Sequence, residues 1–102
     1  MIAGGVATTQ NASTPSIMSA STALAANPAR MGWFIQNLGT NPLFVLHGVG
    51  ASTTVFTVLL KGATAQDDGT GGVASQEDGV VYNGIITVAG TSPRYTATEW
   101  AP

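Results

Sequence analysis

From Ser16 onward, short apolar runs alternate with clusters of turn-forming residues at close spacing, and this rhythm limits the fold more than any other feature. Asn27-Pro28, Asn37-Leu38-Gly39-Thr40-Asn41-Pro42, Asp67-Asp68-Gly69 and Ala89-Gly90-Thr91-Ser92-Pro93 each supply residues suited to a positive or a fixed φ. The runs between them are rich in β-branched and aromatic side chains, which fit a pleated surface. Ala23, Ala25 and Ala26 favour a helix, but their Ser/Thr neighbours and Pro28 work against a long one. The expected class is all-β: a compact antiparallel β-sandwich or a small β-barrel, with about seven strands.

Strands are expected near 16–24, 31–38, 43–48, 55–60, 72–75, 80–89 and 94–100. Residues 1–15, MIAGGVATTQNASTP, are small and polar, with nothing large to bury after Ile2 and Val6. They read as an extended N-terminal arm, disordered or ordered only on a partner. With 102 residues the chain suffices for one core, so residues 16–102 are expected to form a single β domain.

Side chains in a strand alternate between faces, so a half-covered strand should be apolar on one side only. Here Val55, Thr57 and Leu59 fall on one face and Phe56, Val58 and Leu60 on the other, while Trp33 and Ile35 oppose Phe34 and Leu38. Strands apolar on both faces are normally covered on both, which asks for a second copy or a larger assembly, unless the strands close into a tight barrel. The charge content agrees: charged residues make up 8% of the chain, against about a quarter in an ordinary soluble domain.

The same composition excludes several functions. Arg30, Lys61 and Arg94 are the only Lys or Arg residues and are scattered, whereas phosphate binding needs a basic footprint, so nucleic acid is not an expected partner. The absence of cysteine removes disulfides and thiolate zinc sites. The stretch between Arg30 and Lys61 carries no Asp, Glu, Lys or Arg, yet Gln36, Asn37, Gly39, Asn41, Pro42, His47, Gly48 and Gly50 interrupt it. A spanning helix needs about 20 mostly apolar residues, so no membrane partner is expected. Residues 1–10 lack the basic start of a secretion leader, and synthesis in the cytoplasm is the default expectation.

Catalysis needs groups that exchange protons, attack, or hold metal, and one histidine, no cysteine and five carboxylates make a thin inventory. No enzyme and no cofactor are expected. His47 has no nucleophile elbow to serve and is read as a structural or interface residue. Asp67-Asp68-Gly69-Thr70-Gly71-Gly72 has calcium-like ligands, with Glu77 and Asp78 as further oxygens, but lacks the calcium-loop spacing; an exposed turn is the plainer reading, and no metal is expected. Gly69, Gly71 and Gly72 are followed by no Lys-Ser/Thr, which sets aside a phosphate loop. Trp33, Tyr82, Tyr95 and Trp100 could stack on sugar rings, as in a carbohydrate-binding module, or serve as core and subunit contacts. Arg30 and Arg94 are read as anchors for a partner's carboxylates or carbonyls. The candidate partner or subunit interface is therefore Arg30, Trp33, Phe34, His47, Phe56, Tyr82, Arg94, Tyr95 and Trp100.

Asn27-Pro28-Ala29-Arg30, the run from Ile35 to Val45, and Gly48-Val49-Gly50-Ala51-Ser52 resemble a segment of small virion proteins of tailed bacteriophages. Val58-Leu59-Leu60-Lys61-Gly62, Asp67 to Gly72, Tyr82-Asn83-Gly84 and Thr91-Ser92-Pro93-Arg94-Tyr95 extend the likeness, so that it covers roughly residues 20–100. These are turn and strand patterns rather than a functional signature. The resemblance is to capsid decoration, or cement, proteins, and it implies a β-sandwich that is jelly-roll-like, or a compact β-barrel. It implies a structural protein on the outer capsid surface of the virion that binds the major capsid protein and braces neighbouring subunits. It further implies self-association, with a homotrimer favoured over a dimer. The rival expectation is a tail or fibre-tip component that recognises a host receptor or glycan through exposed loops.

Overall fold

Two four-stranded antiparallel sheets face each other in the computed structural model, which describes residues 6–13, 17–76 and 81–102. The strands are β1 (Val6–Ser13), β2 (Ile17–Leu24), β3 (Gly32–Asn37), β4 (Leu43–His47), β5 (Val58–Leu60), β6 (Val73–Ser75), β7 (Ile86–Gly90) and β8 (Arg94–Ala101). The first sheet runs β1-β8-β3-β6 and the second β2-β7-β4-β5. The all-β expectation holds, and among the described residues there is no helix long and apolar enough to cross a membrane.

The pairing has a simple rule: β1 lies on β8, β2 on β7, β3 on β6 and β4 on β5. That is the pattern of one long antiparallel ribbon folded over on itself, with β8 also pairing β3 and β7 also pairing β4 where the turns of the ribbon meet. Both sheets stay antiparallel because each strand's partner runs back along the ribbon.

Three strand expectations change in the structure. Within the region read as an arm, residues 6–13 form β1, paired with β8 from Val6↔Ala101 to Ser13↔Arg94. Residues 1–5 and 14–16 lie outside the described residues. The backbone reason is that β8 presents an open row of peptide groups, and Val6, Thr8 and Thr9 suit an extended chain. The expected strand at 55–60 is only three residues long, because Ser52 turns the chain with its own Oγ, accepting from the amides of Thr54 and Val55 at 3.2 and 2.9 Å. The expected strand at 80–89 begins only at Ile86; of the residues before it, 81–85 form no strand, and residue 80 lies outside the described residues.

The core is built by alternation. From β3 and β8, Trp33, Ile35, Tyr95 and Ala97 point between the sheets; from the other sheet come Leu24, Leu43, Val45, Leu60, Ile86 and Val88. Ile35, Val45, Ile86 and Val88 have no exposed surface. Burial of each such side chain contributes about 1.5–3 kcal/mol.

The apolar second face of the β4 sheet is covered in part by the chain itself. Thr87 and Ala89 alternate with Ile86 and Val88 and so face outward, yet both are buried. Residues 48–57, between β4 and β5, fold back over Thr87: Ala51 N donates to Thr87 Oγ1 at 3.1 Å, and that hydroxyl donates to Gly48 O at 2.7 Å. Gly50 at φ 92° permits the reversal, a conformation that a side chain would strain.

Asn37 locks the far end of β3. It is buried, its Nδ2 reaches the carbonyls of Asn41, Leu60 and Lys61 at 2.8, 3.3 and 3.1 Å, and its Oδ1 accepts from Gly39 N at 3.0 Å. Gly71 packs directly on the Asn37 carbonyl, leaving no room for a Cβ. Replacing Asn37 by Leu, similar in size, should leave these backbone groups unpaired and lower stability by about 2–4 kcal/mol. Urea unfolding should show this as a lower midpoint with an unchanged slope.

Candidate binding surfaces and the polar clamp

Arg30 sits at the junction of four chain segments and its side chain has no exposed surface. Its Nε donates to Glu99 Oε1 at 2.9 Å, one terminal nitrogen donates to the carbonyls of Tyr82 and Gly84 at 2.8 and 3.0 Å, and the other to Ala25 O at 2.6 Å. Asn27 and Asn83 tie the same segments through Asn27 N to Asn83 O at 2.8 Å and Asn83 Nδ2 to the carbonyls of Asn27 and Arg30 at 3.2 and 3.1 Å. The planar fork of Arg30 suits convergent carbonyls, which is why it works here as an internal clamp and not as the partner anchor expected from sequence.

Arg94 is committed as well. It makes a two-pronged bond to Asp67, with Nε–Oδ1 2.7 Å and a second contact to Oδ2 at 2.8 Å, on the half-exposed surface. This hydrogen-bonded guanidinium holds the Asp67 carboxyl below its ordinary range. Asp68 is engaged by Thr70, whose hydroxyl and amide donate to Oδ1 at 2.6 and 2.9 Å, and by Ala65 N at 2.9 Å to Oδ2; these bonds lower its pKa too. Asp67-Asp68-Gly69 is thus a turn whose carboxylates are occupied by the protein. Glu77 and Asp78 lie outside the described residues, and among the described residues no three metal-ligating side chains converge. Tyr95 belongs to the core: it is buried, its hydroxyl donates to Thr22 O at 3.4 Å, and burial pushes the phenol's pKa up.

The clamp fixes the backbone of Tyr82, and Tyr82 in turn stacks on His47 with ring centroids 4.8 Å apart and planes 14° from parallel. His47 also meets Trp33 edge-on at 5.1 Å. These three rings line a cleft of about 980 Å³ beside the short strands β5 and β6, with Thr57, Val58, Ala74, Ser75, Gln76 and Asn83 among the other walls. Trp33 Nε1, His47 Nε2 and Gln76 Oε1 are buried and have no hydrogen-bond partner among the described residues. Burial, and secondarily the positive charge of Arg30, hold the His47 pKa below its ordinary value of 6.5.

The outer faces carry the remaining expected residues. On the β4 sheet, Phe44 meets Phe56 at 5.2 Å, and Leu59 sits opposite Phe44 in the β4–β5 register. Val55, Phe56 and Leu59 are 52%, 40% and 48% exposed, a concentration of apolar surface that monomers rarely leave bare. On the β3 sheet, Met31, Phe34, Trp100 and Ser75 border a groove of about 410 Å³ over Gly32, whose lack of a side chain opens the floor beneath Trp100.

Of the nine residues expected at an interface, Phe34, Phe56 and Trp100 therefore lie on outer faces; Trp33, His47 and Tyr82 come together in the cleft; Arg30 and Tyr95 are internal; and Arg94 pins a turn. Glu99, Asn27, Asn83 and Gln76 were not among the residues expected at a site, since isolated polar residues in strands and turns carry no spacing signal. No family model, curated protein or solved structure matches the chain.

Two outcomes follow from the clamp and the stacked histidine. Arg30→Met should lower stability by about 3–5 kcal/mol, since it leaves the Glu99 carboxylate and three carbonyls without their donor; adding Glu99→Gln should recover part of the loss in denaturant melts. Because the folded pKa of His47 lies below 6.5, the unfolded chain takes up the proton first as pH falls. The stabilisation is complete above about 6.5 and declines below it until the folded pKa is passed, whereas the contributions of Asp67 and Asp68 fail only below the ordinary carboxylate value of 3.8. His47→Phe, which retains a ring for stacking, should flatten the melting-temperature profile between about pH 7 and about pH 5.

Proposed function

We propose that this protein is a structural virion component that binds the outer surface of an assembled phage capsid and braces contacts between major capsid subunits. The observation that carries the reading is the apolar outer face at Phe44, Val55, Phe56 and Leu59, in a stretch where no Asp, Glu, Lys or Arg occurs between Arg30 and Lys61. The centre of a protein interface has this composition, aromatic and apolar with charge depleted. A partner of matching apolar character, repeated on a shell, needs only modest affinity per contact because many copies act together.

The strand order supports a jelly-roll reading of the sandwich, since each strand pairs with its mirror-numbered partner along one folded ribbon. The folded-back loop at 48–57 supports the same docking face: it covers part of the sheet and adds Val55 and Phe56 to its rim. Self-association into a trimer at a three-fold position, or a dimer at a two-fold one, is part of this proposal.

The test is to mix the purified protein with phage heads that lack it and to measure occupancy by cryo-electron microscopy and head stability by a melting scan. Regular density on the outer shell with a raised melting temperature supports the proposal. The double variant Phe56→Ser, Leu59→Ser should keep its own stability within about 1 kcal/mol, as partly exposed positions do, while losing at least about tenfold in apparent affinity for heads. Wild-type protein absent from the shell overturns the reading, and its presence at tails would favour receptor recognition instead.

A further inference from the structure

The edges of the two sheets are not alike. β5 and β6 are three residues each. β2 is eight residues long, but its register with β7 shifts twice, between Ile17 and Ser21 and between Thr22 and Leu24. β1 is also eight residues long, and its register with β8 runs unbroken from Val6↔Ala101 to Ser13↔Arg94. It stands at the end of the β1-β8-β3-β6 sheet, with one strand beside it. In an antiparallel pair alternate residues turn their N–H and C=O toward the partner, so every second residue of β1 turns both away from β8.

An edge of this kind is a template for another strand, and proteins that stay single blunt it with shortness, a bulge, a charge or a proline. β5 and β6 have the first of these devices and β2 the second. β1 has none: its sequence, VATTQNAS, contains no Asp, Glu, Lys, Arg or Pro. The outward groups are peptide donors and acceptors in alternation, which a second extended backbone satisfies and a helix, whose own peptide groups bond internally, does not. The same composition favours one backbone over others. A strand laid antiparallel on its own copy meets itself about a two-fold axis, so every contact is made twice, and here no like charges are brought face to face. A charged strand from another protein would find no counter-charge in residues 6–13. Full overlap of two such strands forms roughly eight interchain backbone hydrogen bonds.

We infer that two copies of this protein associate through β1, strand against strand and antiparallel about a two-fold axis, joining their four-stranded β1-β8-β3-β6 sheets end to end. Of the two states of self-association named above, this selects the dimer. The inference does not rest on the capsid reading, because it concerns the free protein and because the Phe56–Leu59 surface belongs to the other sheet.

The experiment is sedimentation velocity on the full chain from about 5 to about 300 µM, with amide hydrogen exchange at both ends of that range. The wild type should sediment as a dimer at the upper end. There the amides within residues 6–13 that face away from β8 should exchange at least about tenfold more slowly than at the lower end. Thr9→Lys with Gln10→Lys, mid-strand where two copies overlap, should be monomeric throughout and should keep the fold, since lysine is a residue that natural edges carry. Thr9→Glu with Gln10→Glu should be monomeric alone, and mixing the two charge variants should restore a dimer, because opposite charges then meet across the axis. Phe56→Ser with Leu59→Ser should still dimerise. A wild type that is monomeric or trimeric at the upper concentration overturns the inference. So does a dimer without concentration-dependent protection in residues 6–13, or one that the Lys variant retains, since either would place the contact elsewhere.

Discussion

A single guanidinium holds together the end of the sandwich on which the cleft depends. Removing Arg30 from water is costly unless every N–H finds an acceptor, and here four contacts from three nitrogens meet a carboxylate and three carbonyls. These acceptors come from the β2–β3 connection, the segment entering β7, and β8, so segments far apart in sequence are fixed by one planar group. The stack of Tyr82 on His47, and the edge contact of His47 with Trp33, follow from where that clamp sets the Tyr82 backbone.

The two surfaces of the protein have different physical origins. The cleft exists because β5 and β6, three residues each, are too short to bring the two sheets together along their whole length. The outer apolar face exists because the connection at residues 48–57 covers Thr87 but leaves its own Val55 and Phe56, with Leu59 of β5, in solvent. One surface is concave and lined by aromatic and polar side chains; the other is apolar.

Much of the fold was legible because strand patterns and turn chemistry are local. The turns at 38–42 and 91–93 stand between β3 and β4 and between β7 and β8, where the sequence places Gly39, Asn41, Pro42 and Pro93. β1 was missed because small polar residues carry no burial signal; its pairing is set by the open edge of β8. The exposed members of the expected interface, Phe56 and Trp100, and the half-buried Phe34 could not be separated from the buried ones, Trp33 and Tyr95, by residue type, since aromatic side chains serve either place equally well.

The sequence by itself determined the class: alternating β-branched runs, frequent turns and scarce charge leave an antiparallel β fold with thin catalytic means. Only the tertiary structure decided the roles of the individual polar residues. Arg30 lies 69 positions from Glu99, and Arg94 lies 27 from Asp67. Such pairings are made when the ribbon folds over on itself, and no local pattern encodes them. The same holds for Trp33, His47 and Tyr82, which become a single wall only when two sheets meet.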